Sequence, residues 1–169
     1  MAGKVKKQSA RVKRVIQFIE NLIVPSGKGA GKPFKLRSFQ KKFIQDVYGP
    51  HKMHDNEWRR LVRRAVLSIA RKNGKTALIA ALVLVHLVGP EAVENGEIYS
   101  AATERDQAAQ VYKVCCQIIK ADPWLMSELK MVDSTKTIAC YRFGSFYKAL
   151  SAEAGTKHGL NPTFVIYDE

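Results

Sequence analysis

The chain has 169 residues, of which 46% are hydrophobic and 25% are charged, and this composition indicates one globular domain with a sizeable core rather than a disordered chain. No apolar run reaches the roughly 18 to 20 residues that a membrane-spanning helix needs, and the N-terminus shows no secretory signal, so we expect a cytosolic protein without a membrane partner. The net charge of +13 comes from the first 75 residues, where 20 Lys and Arg stand against 4 Asp and Glu; this predicts a polyanionic or acidic partner such as nucleic acid, or else a merely solvated basic surface.

The first predicted element is an amphipathic helix that begins near Ser9 and ends before a connector at residues 25–33. Val12, Ile16, Ile19 and Ile23 recur at the spacing of one helical face, with Arg and Lys residues around them. The connector, "PSGKGAGKP", contains glycines and lysines, but no strand precedes it and no Ser or Thr follows a Gly-Lys pair. We therefore reject it as a phosphate-binding loop.

A second amphipathic helix is predicted within "RSFQKKFIQDVYG", residues 37–49, where a Gly-Pro pair ends it. The polar stretch that follows, "HKMHDNEW", residues 51–58, is predicted to be a turn. Its two histidines have a spacing that metal sites use, but no second ligand pair accompanies them, so a solvated loop is the better interpretation. The apolar face of the second helix is predicted to contain Phe39, Phe43, Ile44 and Val47.

A strand, a loop and a helix then follow in the order that a phosphate-binding P-loop requires. "RRAVLSIA", residues 63–70, is rich in apolar residues and predicts a short strand, while the apolar run at residues 75–88 predicts a buried helix. Between them the tripeptide Gly-Lys-Thr at residues 74–76 has the form of a P-loop tail, although the earlier glycine of such a loop is replaced by Ile69. Because the tripeptide also arises by chance, it is weak support on its own.

Each residue of this loop has a definite chemical use if a nucleotide binds there. Gly74 permits close approach of backbone N–H groups to phosphate oxygens at a helix N-terminus. Lys75 would reach the β- and γ-phosphates, and the Thr76 hydroxyl would bind Mg²⁺. The guanidinium of Arg71 could stabilise charge on the γ-phosphate in the transition state, with ordinary surface charge as the alternative.

The remaining elements alternate between strands and helices. "EIYSAAT", residues 97–103, predicts a second strand, followed by a helix over residues 103–120 that is capped by the threonine at its start. A short helix is predicted within residues 122–129, and two alternating segments on either side of Gly144 predict a hairpin. "TFVIYDE", residues 163–169, predicts a buried strand. The helix after the second strand is predicted to turn Val111, Val114 and Ile118 inward.

Two carboxylates, Asp168 and Glu169, follow this last strand. Alternating strands and helices predict a parallel sheet with helices on both faces, and such sheets bind ligands beyond the carboxyl ends of their strands. An acidic residue in this position holds magnesium in P-loop NTPases, which is the role predicted for Asp168. Glu169 could orient and deprotonate an attacking water. The alternative is an acidic pair that begins a surface loop.

Together these residues resemble the large terminase subunit of tailed bacteriophages, the motor that packages DNA into the capsid. The matching segments occur in one order along the chain, and no single one is decisive, but the ordered set is specific. They cover nearly the whole chain. The segments are "GAGKPFKLRSFQKKFIQDVYG", "ARKNGKTALIAALVLVHL", "IYSAATERDQA" and "SAEAGTKHGLNPTFVIYDE".

The resemblance implies an α/β P-loop NTPase fold, RecA-like and of the additional-strand catalytic-glutamate class, with a parallel-sheet core preceded by N-terminal helices. It implies ATP and Mg²⁺ as ligands. In that family the phosphate loop often reads Arg-x-x-Gly-Lys-Ser/Thr, so the departure at Ile69 is expected and Arg71 acts on the γ-phosphate. Asp168 then matches the magnesium-holding carboxylate, Glu169 the catalytic one, and Gln40 an adenine-reading glutamine. The implied phosphate loop comprises Arg71, Lys72, Asn73, Gly74, Lys75 and Thr76, and the implied catalytic residues are Arg71, Lys75 and Glu169.

The resemblance also bears on domain organisation and partners. We expect a basic helical segment over residues 1–60 and a partial ATPase core with an incomplete sheet over residues 61–169. The nuclease domain of large terminases is missing, so we expect a fragment. The implied partners are double-stranded DNA, the portal protein, the small terminase subunit and, in the full-length motor, further copies of the subunit, all in the host cytoplasm. A basic nucleic-acid-binding module without ATP turnover and a helicase-like P-loop ATPase are the alternatives.

Overall fold

The computed structural model describes residues 9–27, 29–54, 57–70, 72–102, 105–151 and 159–167, in which helices and strands alternate as an α/β protein. The helices are α1 (Ala10–Asn21), α2 (Ser38–Tyr48), α3 (Lys75–Leu87), α4 (Arg105–Lys120) and α5 (Pro123–Glu128). The strands are β1 (His51–His54), β2 (Glu57–Arg60), β3 (Glu97–Ala102), β4 (Leu129–Val132), β5 (Thr137–Cys140), β6 (Ser145–Ser151) and β7 (Phe164–Tyr167).

The main sheet has five strands in the order β4-β5-β6-β3-β7. β3 runs parallel to both of its neighbours, β6 and β7, whereas β4, β5 and β6 are antiparallel to one another. The parallel-sheet prediction is therefore right for the three strands β6-β3-β7 and wrong for β4 and β5. The physical reason is that the short turns joining β4 to β5 and β5 to β6 can only connect antiparallel neighbours. The hairpin predicted around Gly144 is confirmed as β5 and β6.

The first helix forms where its sequence pattern predicts it, but it ends at Asn21, so Ile23 of the predicted face lies beyond it. The hydroxyl of Ser9 accepts a hydrogen bond from the backbone N–H of Val12 and so caps the start of α1. Val12, Ile16 and Ile19 are buried in the core. Beyond the helix the connector folds back on itself, because Ile23 pairs with residue 33 in an isolated antiparallel bridge.

The second helix buries a different face from the one predicted. Gln40, Ile44 and Tyr48 are its buried residues, and they follow one another at intervals of four. Of the predicted face only Ile44 is fully buried, because polar atoms on Gln40 and Tyr48 find hydrogen-bond partners inside the protein. Phe39, Phe43 and Val47 are half-buried.

Two further predictions about single segments are wrong. The stretch predicted as a polar turn forms the two-stranded hairpin β1–β2, with His51 opposite Arg60. Residues 63–70, predicted as a strand, are extended but pair with no strand of the described part of the chain, and Val66 within them is 93% exposed. An apolar, β-branched sequence favours an extended backbone, but a strand exists only where a neighbouring strand completes its hydrogen bonds.

The last strand also differs from expectation. β7 forms where the sequence predicts it, but its first three residues are half-buried and Tyr167 is 82% exposed. The cause is its place at the edge of the sheet, where β3 is its one neighbouring strand among the described residues. The threonine predicted to cap α4 lies outside the described residues, and β4 has no counterpart among the predictions.

Helix α3 is almost entirely buried and fixes the layout of the molecule. At its C-terminal end the carbonyl of Leu87 accepts a hydrogen bond of 2.9 Å from the hydroxyl of Ser145, the first residue of β6. The ring of His86 stacks on Phe164, the first residue of β7, with 3.8 Å between the ring centroids. The end of α3 thus lies at the amino edge of the parallel strands. No helix within the described ranges is long and apolar enough to span a membrane.

Candidate functional site

Two residues of the backbone before α3 have the left-handed conformation. Lys72 has a φ of 64° and Gly74, the N-cap of α3, has a φ of 76°. Glycine adopts this conformation without strain, whereas a lysine does so only when its surroundings hold it there. The first N–H groups of any α-helix lack carbonyl partners within the helix and carry partial positive charge. The start of α3 therefore has the backbone geometry that suits an anion.

Side-chain hydrogen bonds hold the loop from both sides. The side-chain oxygen Oδ1 of Asn73 accepts a hydrogen bond of 2.7 Å from Nη1 of Arg37, which immediately precedes α2. The amide nitrogen Nδ2 of Asn73 donates at 3.2 Å to the carbonyl of Ala70. Asn73 thus links the loop to its own beginning and to the start of α2.

Gln40 lies beside the loop, as expected from its predicted role. It is buried, and its Oε1 accepts a hydrogen bond of 2.9 Å from the backbone N–H of Arg37. Its Nε2 lies 3.8 Å from the position that a Cβ atom on Gly74 would occupy. The side chain therefore presents donor hydrogens close to the turn that opens α3.

Lys75 and Thr76 are the first two residues of α3, and both are half-buried. Lys72, which precedes them in the loop, is exposed, and so is Arg37 before α2. The structure thus brings together Gln40 and five of the six predicted loop residues, Lys72, Asn73, Gly74, Lys75 and Thr76. Arg71, the sixth, lies outside the described residues.

The predicted carboxylates Asp168 and Glu169 also lie outside the described residues. The strand that leads to them is described: β7 ends at Tyr167, which pairs with Ala101 near the carboxyl end of β3.

Arg37 is a site residue that the sequence reasoning missed. It stands three positions before Gln40 in "RSFQ", at a helix start, where a basic residue is usually solvent-exposed. A signal was present, because the guanidinium is the side chain with most hydrogen-bond donors and sits next to a predicted site residue. Only the fold shows that a loop 36 residues away supplies its partner.

A buried pair of polar side chains joins α2 and α3 at the ends that lie away from the phosphate loop. Oη of Tyr48, the last residue of α2, and Nε2 of His86 lie 2.9 Å apart. Burial, together with the positive charges of Arg60 and Arg11, lowers the pKa of His86 to about 3. Burial also raises the pKa of Tyr48. Both rings are therefore neutral at ordinary pH, and they join α2 to α3 without burying a charge.

Comparison with known proteins gives a family. The family model of the ATPase domain of the terminase large subunit matches residues 38–169. The terminase large subunit of Enterobacteria phage HK97 is 46% identical over 160 residues, which are 94% of this chain and 30% of that protein. The crystal structure of the HK97 bacteriophage large terminase matches with a TM-score of 0.80 and 43% identity, over 94% of this chain and 31% of that one.

These matches confirm the resemblance inferred from the motifs. The family match begins at Ser38, so it includes Gln40, the phosphate loop and every strand of the main sheet. The chain spans about 30% of the length of the HK97 protein that it matches. It belongs to the terminase large subunit family, and residues 38–169 correspond to the ATPase domain of that family.

Proposed function

We propose that the chain is the ATPase portion of a phage DNA-packaging motor, which binds ATP with Mg²⁺ and couples its hydrolysis to movement of double-stranded DNA. The observation that carries the proposal is the left-handed Gly74 at the start of α3, which has Gln40 beside it. This arrangement supports a P-loop ATPase fold of the RecA-like, catalytic-glutamate class.

Each predicted site residue has a role in this proposal. The N–H groups at the start of α3 and the ammonium of Lys75 bind the β- and γ-phosphates. Arg71 stabilises negative charge on the γ-phosphate as the bond to it breaks. Glu169 accepts a proton from the attacking water. Gln40 reads the adenine, which its position next to Gly74 supports.

Magnesium fits the donor set at this site. Thr76 offers a hydroxyl oxygen and Asp168 a carboxylate, and Mg²⁺ in nucleotide sites takes only one or two protein oxygens beside phosphate oxygens and waters. Within the described residues no group of three His, Cys, Asp or Glu forms a self-contained metal site, which agrees with a metal that arrives with the nucleotide. When bound, the metal neutralises charge on the phosphates.

The organisation and partners form part of the same proposal. Residues 1–60, which contain α1, α2 and the β1–β2 hairpin, are proposed as a basic segment and residues 61–169 as the ATPase core, although the family match already begins at Ser38. The formal charge of +16 over the first 75 residues supports contact with double-stranded DNA or with acidic faces of partner proteins. A portal protein, a small terminase subunit and further copies of the large subunit are the partners proposed, in the host cytoplasm.

Nucleotide binding by the Lys75→Ala variant tests the proposal. A fluorescent ATP analogue titrated with Mg²⁺ should bind the unaltered chain, and Lys75→Ala should weaken that binding at least about tenfold, since an ammonium–phosphate interaction is lost. Lys42→Ala is the matched control, because Lys42 is exposed on α2 and paired with Asp46. Equal nucleotide affinity in the two variants would contradict the proposal.

The concentration of charge in the N-terminal half supports one other function, a nucleic-acid-binding module without turnover. Such a module would bind DNA with an affinity that falls steeply with salt and does not respond to ATP. Measuring DNA affinity at two salt concentrations, with and without ATP and Mg²⁺, separates the two functions. The family match disfavours the helicase-like alternative.

A further inference from the structure

We propose that Arg37 is a positioning residue of the nucleotide site, which sets the phosphate loop in its binding conformation through Asn73. The inference rests on the proposed ATPase function and extends it to a residue outside the loop and outside the predicted site. It assigns the guanidinium of Arg37 a part in phosphate binding without direct contact to the nucleotide.

The geometry defines a chain of two hydrogen bonds. Nη1 of Arg37 donates to Oδ1 of Asn73 at 2.7 Å, and Nδ2 of Asn73 donates to the carbonyl of Ala70 at 3.2 Å. The side-chain oxygen of Asn73 thus binds the residue that precedes α2, and its side-chain nitrogen binds the residue at which the loop begins. A side chain held at both ends fixes the backbone that carries it, here the residue between the left-handed Lys72 and Gly74.

The pair of Arg37 and Asn73 lies on the surface, and this position determines whether it affects fold stability or nucleotide affinity. Arg37 is exposed and Asn73 is half-exposed, so their hydrogen bond competes with water and adds little to the stability of the whole fold. One additional hydrogen bond can, however, considerably reduce the conformational freedom of a short loop that has two left-handed residues. If the loop is ordered before the nucleotide arrives, binding does not have to supply that ordering, and affinity rises.

The base side of the site is held separately. The contact from residue 37 to Gln40 Oε1 comes from the backbone N–H of Arg37 and not from its side chain. Substitution of the Arg37 side chain therefore leaves that hydrogen-bond donor in place. The side chain acts on the phosphate half of the site, and Gln40 acts on the base half.

The experiment compares ATP with inorganic tripolyphosphate, a ligand that has the phosphates and lacks the base. Affinities for both, at one Mg²⁺ concentration, are measured for Arg37→Ala, Asn73→Ala and the double variant. We expect each single variant to lose about fivefold to tenfold for both ligands, which lies within the range for one ordinary hydrogen bond. We expect the double variant to lose no more than a single one, because the two residues act as one unit.

Three further variants sharpen the test. Lys35→Ala removes an equally exposed positive charge two positions away and should retain both affinities. Arg37→Lys keeps one donor for Asn73 and should recover part of the loss. Gln40→Ala should weaken ATP binding more than tripolyphosphate binding. Urea unfolding of the variants at Arg37, Asn73 and Lys35 should show the stability of the unaltered chain, since these side chains are on the surface.

The outcomes separate this inference from the proposed function. If the losses of Arg37→Ala and Asn73→Ala add up in the double variant, Arg37 contacts the ligand on its own and the inference is wrong. It is equally wrong if Arg37→Ala binds both ligands as tightly as Lys35→Ala does. If the unaltered chain binds neither ligand, the proposed ATPase function is overturned, and the inference falls with it.

Discussion

Tyr48 and His86 share a buried hydrogen bond of 2.9 Å at the end of α2 and near the end of α3. The other contact of the His86 ring is a stack on Phe164, the first residue of β7. The three elements that meet there are the ones that carry Gln40, the phosphate loop and the strand leading to Asp168. They are joined at the end remote from the proposed site, so the spacing of the site's parts depends on this contact.

The buried His86 predicts acid sensitivity of the fold. Its folded pKa of about 3 lies below the usual 6.5, so the folded state holds the ring neutral. The corresponding stability is fully present above pH 6.5 and is lost as the pH falls from there towards 3, to a total on the order of a few kcal/mol. Urea unfolding followed by circular dichroism at pH 7 and pH 4 measures the loss.

Two variants isolate this effect. Tyr48→Phe/His86→Phe removes the titrating ring without leaving the tyrosine hydroxyl unpaired, and its free energy of unfolding should fall less between pH 7 and pH 4. Tyr48→Phe alone retains His86 and should retain the full fall. A fall of equal size in the double variant would show that other groups cause the acid sensitivity.

The left-handed conformation of Gly74 predicts that adding a single methyl group there lowers both stability and ATP affinity. Gly74→Ala meets no atom closer than 3.8 Å, so its cost comes from the backbone alone, about 1 to 2 kcal/mol. Relief of that strain would alter the turn, so the affinity for ATP should fall. Denaturation and fluorescent-nucleotide titration measure the two effects.

Gly31 supplies the matched comparison. It has a φ of 78° and open space around it, in the connector between α1 and α2. Gly31→Ala should lower stability about as much as Gly74→Ala and leave nucleotide affinity unchanged. If both variants lost affinity equally, general destabilisation rather than loop geometry would be the cause.

The ion pair between Arg11 and Glu91 predicts a large stability effect far from the site. Their side chains are 19% and 8% exposed, and Nε of Arg11 donates to Glu91 at 2.7 Å. Arg11→Ala leaves the carboxylate unpaired and should cost about 3 kcal/mol. Lys42→Ala breaks the exposed pair with Asp46 and should cost less than about 0.5 kcal/mol. Urea midpoints at a fixed pH compare the stability of the two variants. Similar losses of stability would show that leaving the buried Glu91 carboxylate unpaired carries no penalty.

The proposed magnesium contact of Thr76 predicts a change in metal dependence. Thr76→Val replaces the hydroxyl by a methyl group of similar size, so the increase in ATP affinity on adding Mg²⁺ should disappear while binding in EDTA persists. Thr76→Ser keeps the oxygen and should keep the increase. An undiminished magnesium effect in Thr76→Val would remove Thr76 from the metal site.

The sequence was most informative where a pattern is local. The spacing of Val12, Ile16 and Ile19 predicted α1, and the apolar run after Gly74 predicted the buried helix α3. The form of the phosphate loop and its place before a helix were likewise readable, because the loop conformation depends on residues that are adjacent in the chain.

Predictions were weakest where two distant segments must meet. Residues 63–70 have a strand's composition, yet whether a strand forms depends on a neighbour that composition does not specify. Tyr48 is a polar residue on the buried face of α2, and only its distant partner His86 explains why burial costs little there. The bond from Arg37 to Asn73 is the same kind of relation, formed across 36 residues.

The segments before and after the phosphate loop differ, because residues 63–70 pair with no described strand and α3 is buried. On one side the loop continues into α3, a rigid buried helix; on the other it continues into exposed backbone that no described strand holds. The phosphate loop therefore joins a segment of the buried core to a segment whose side chains are mostly exposed.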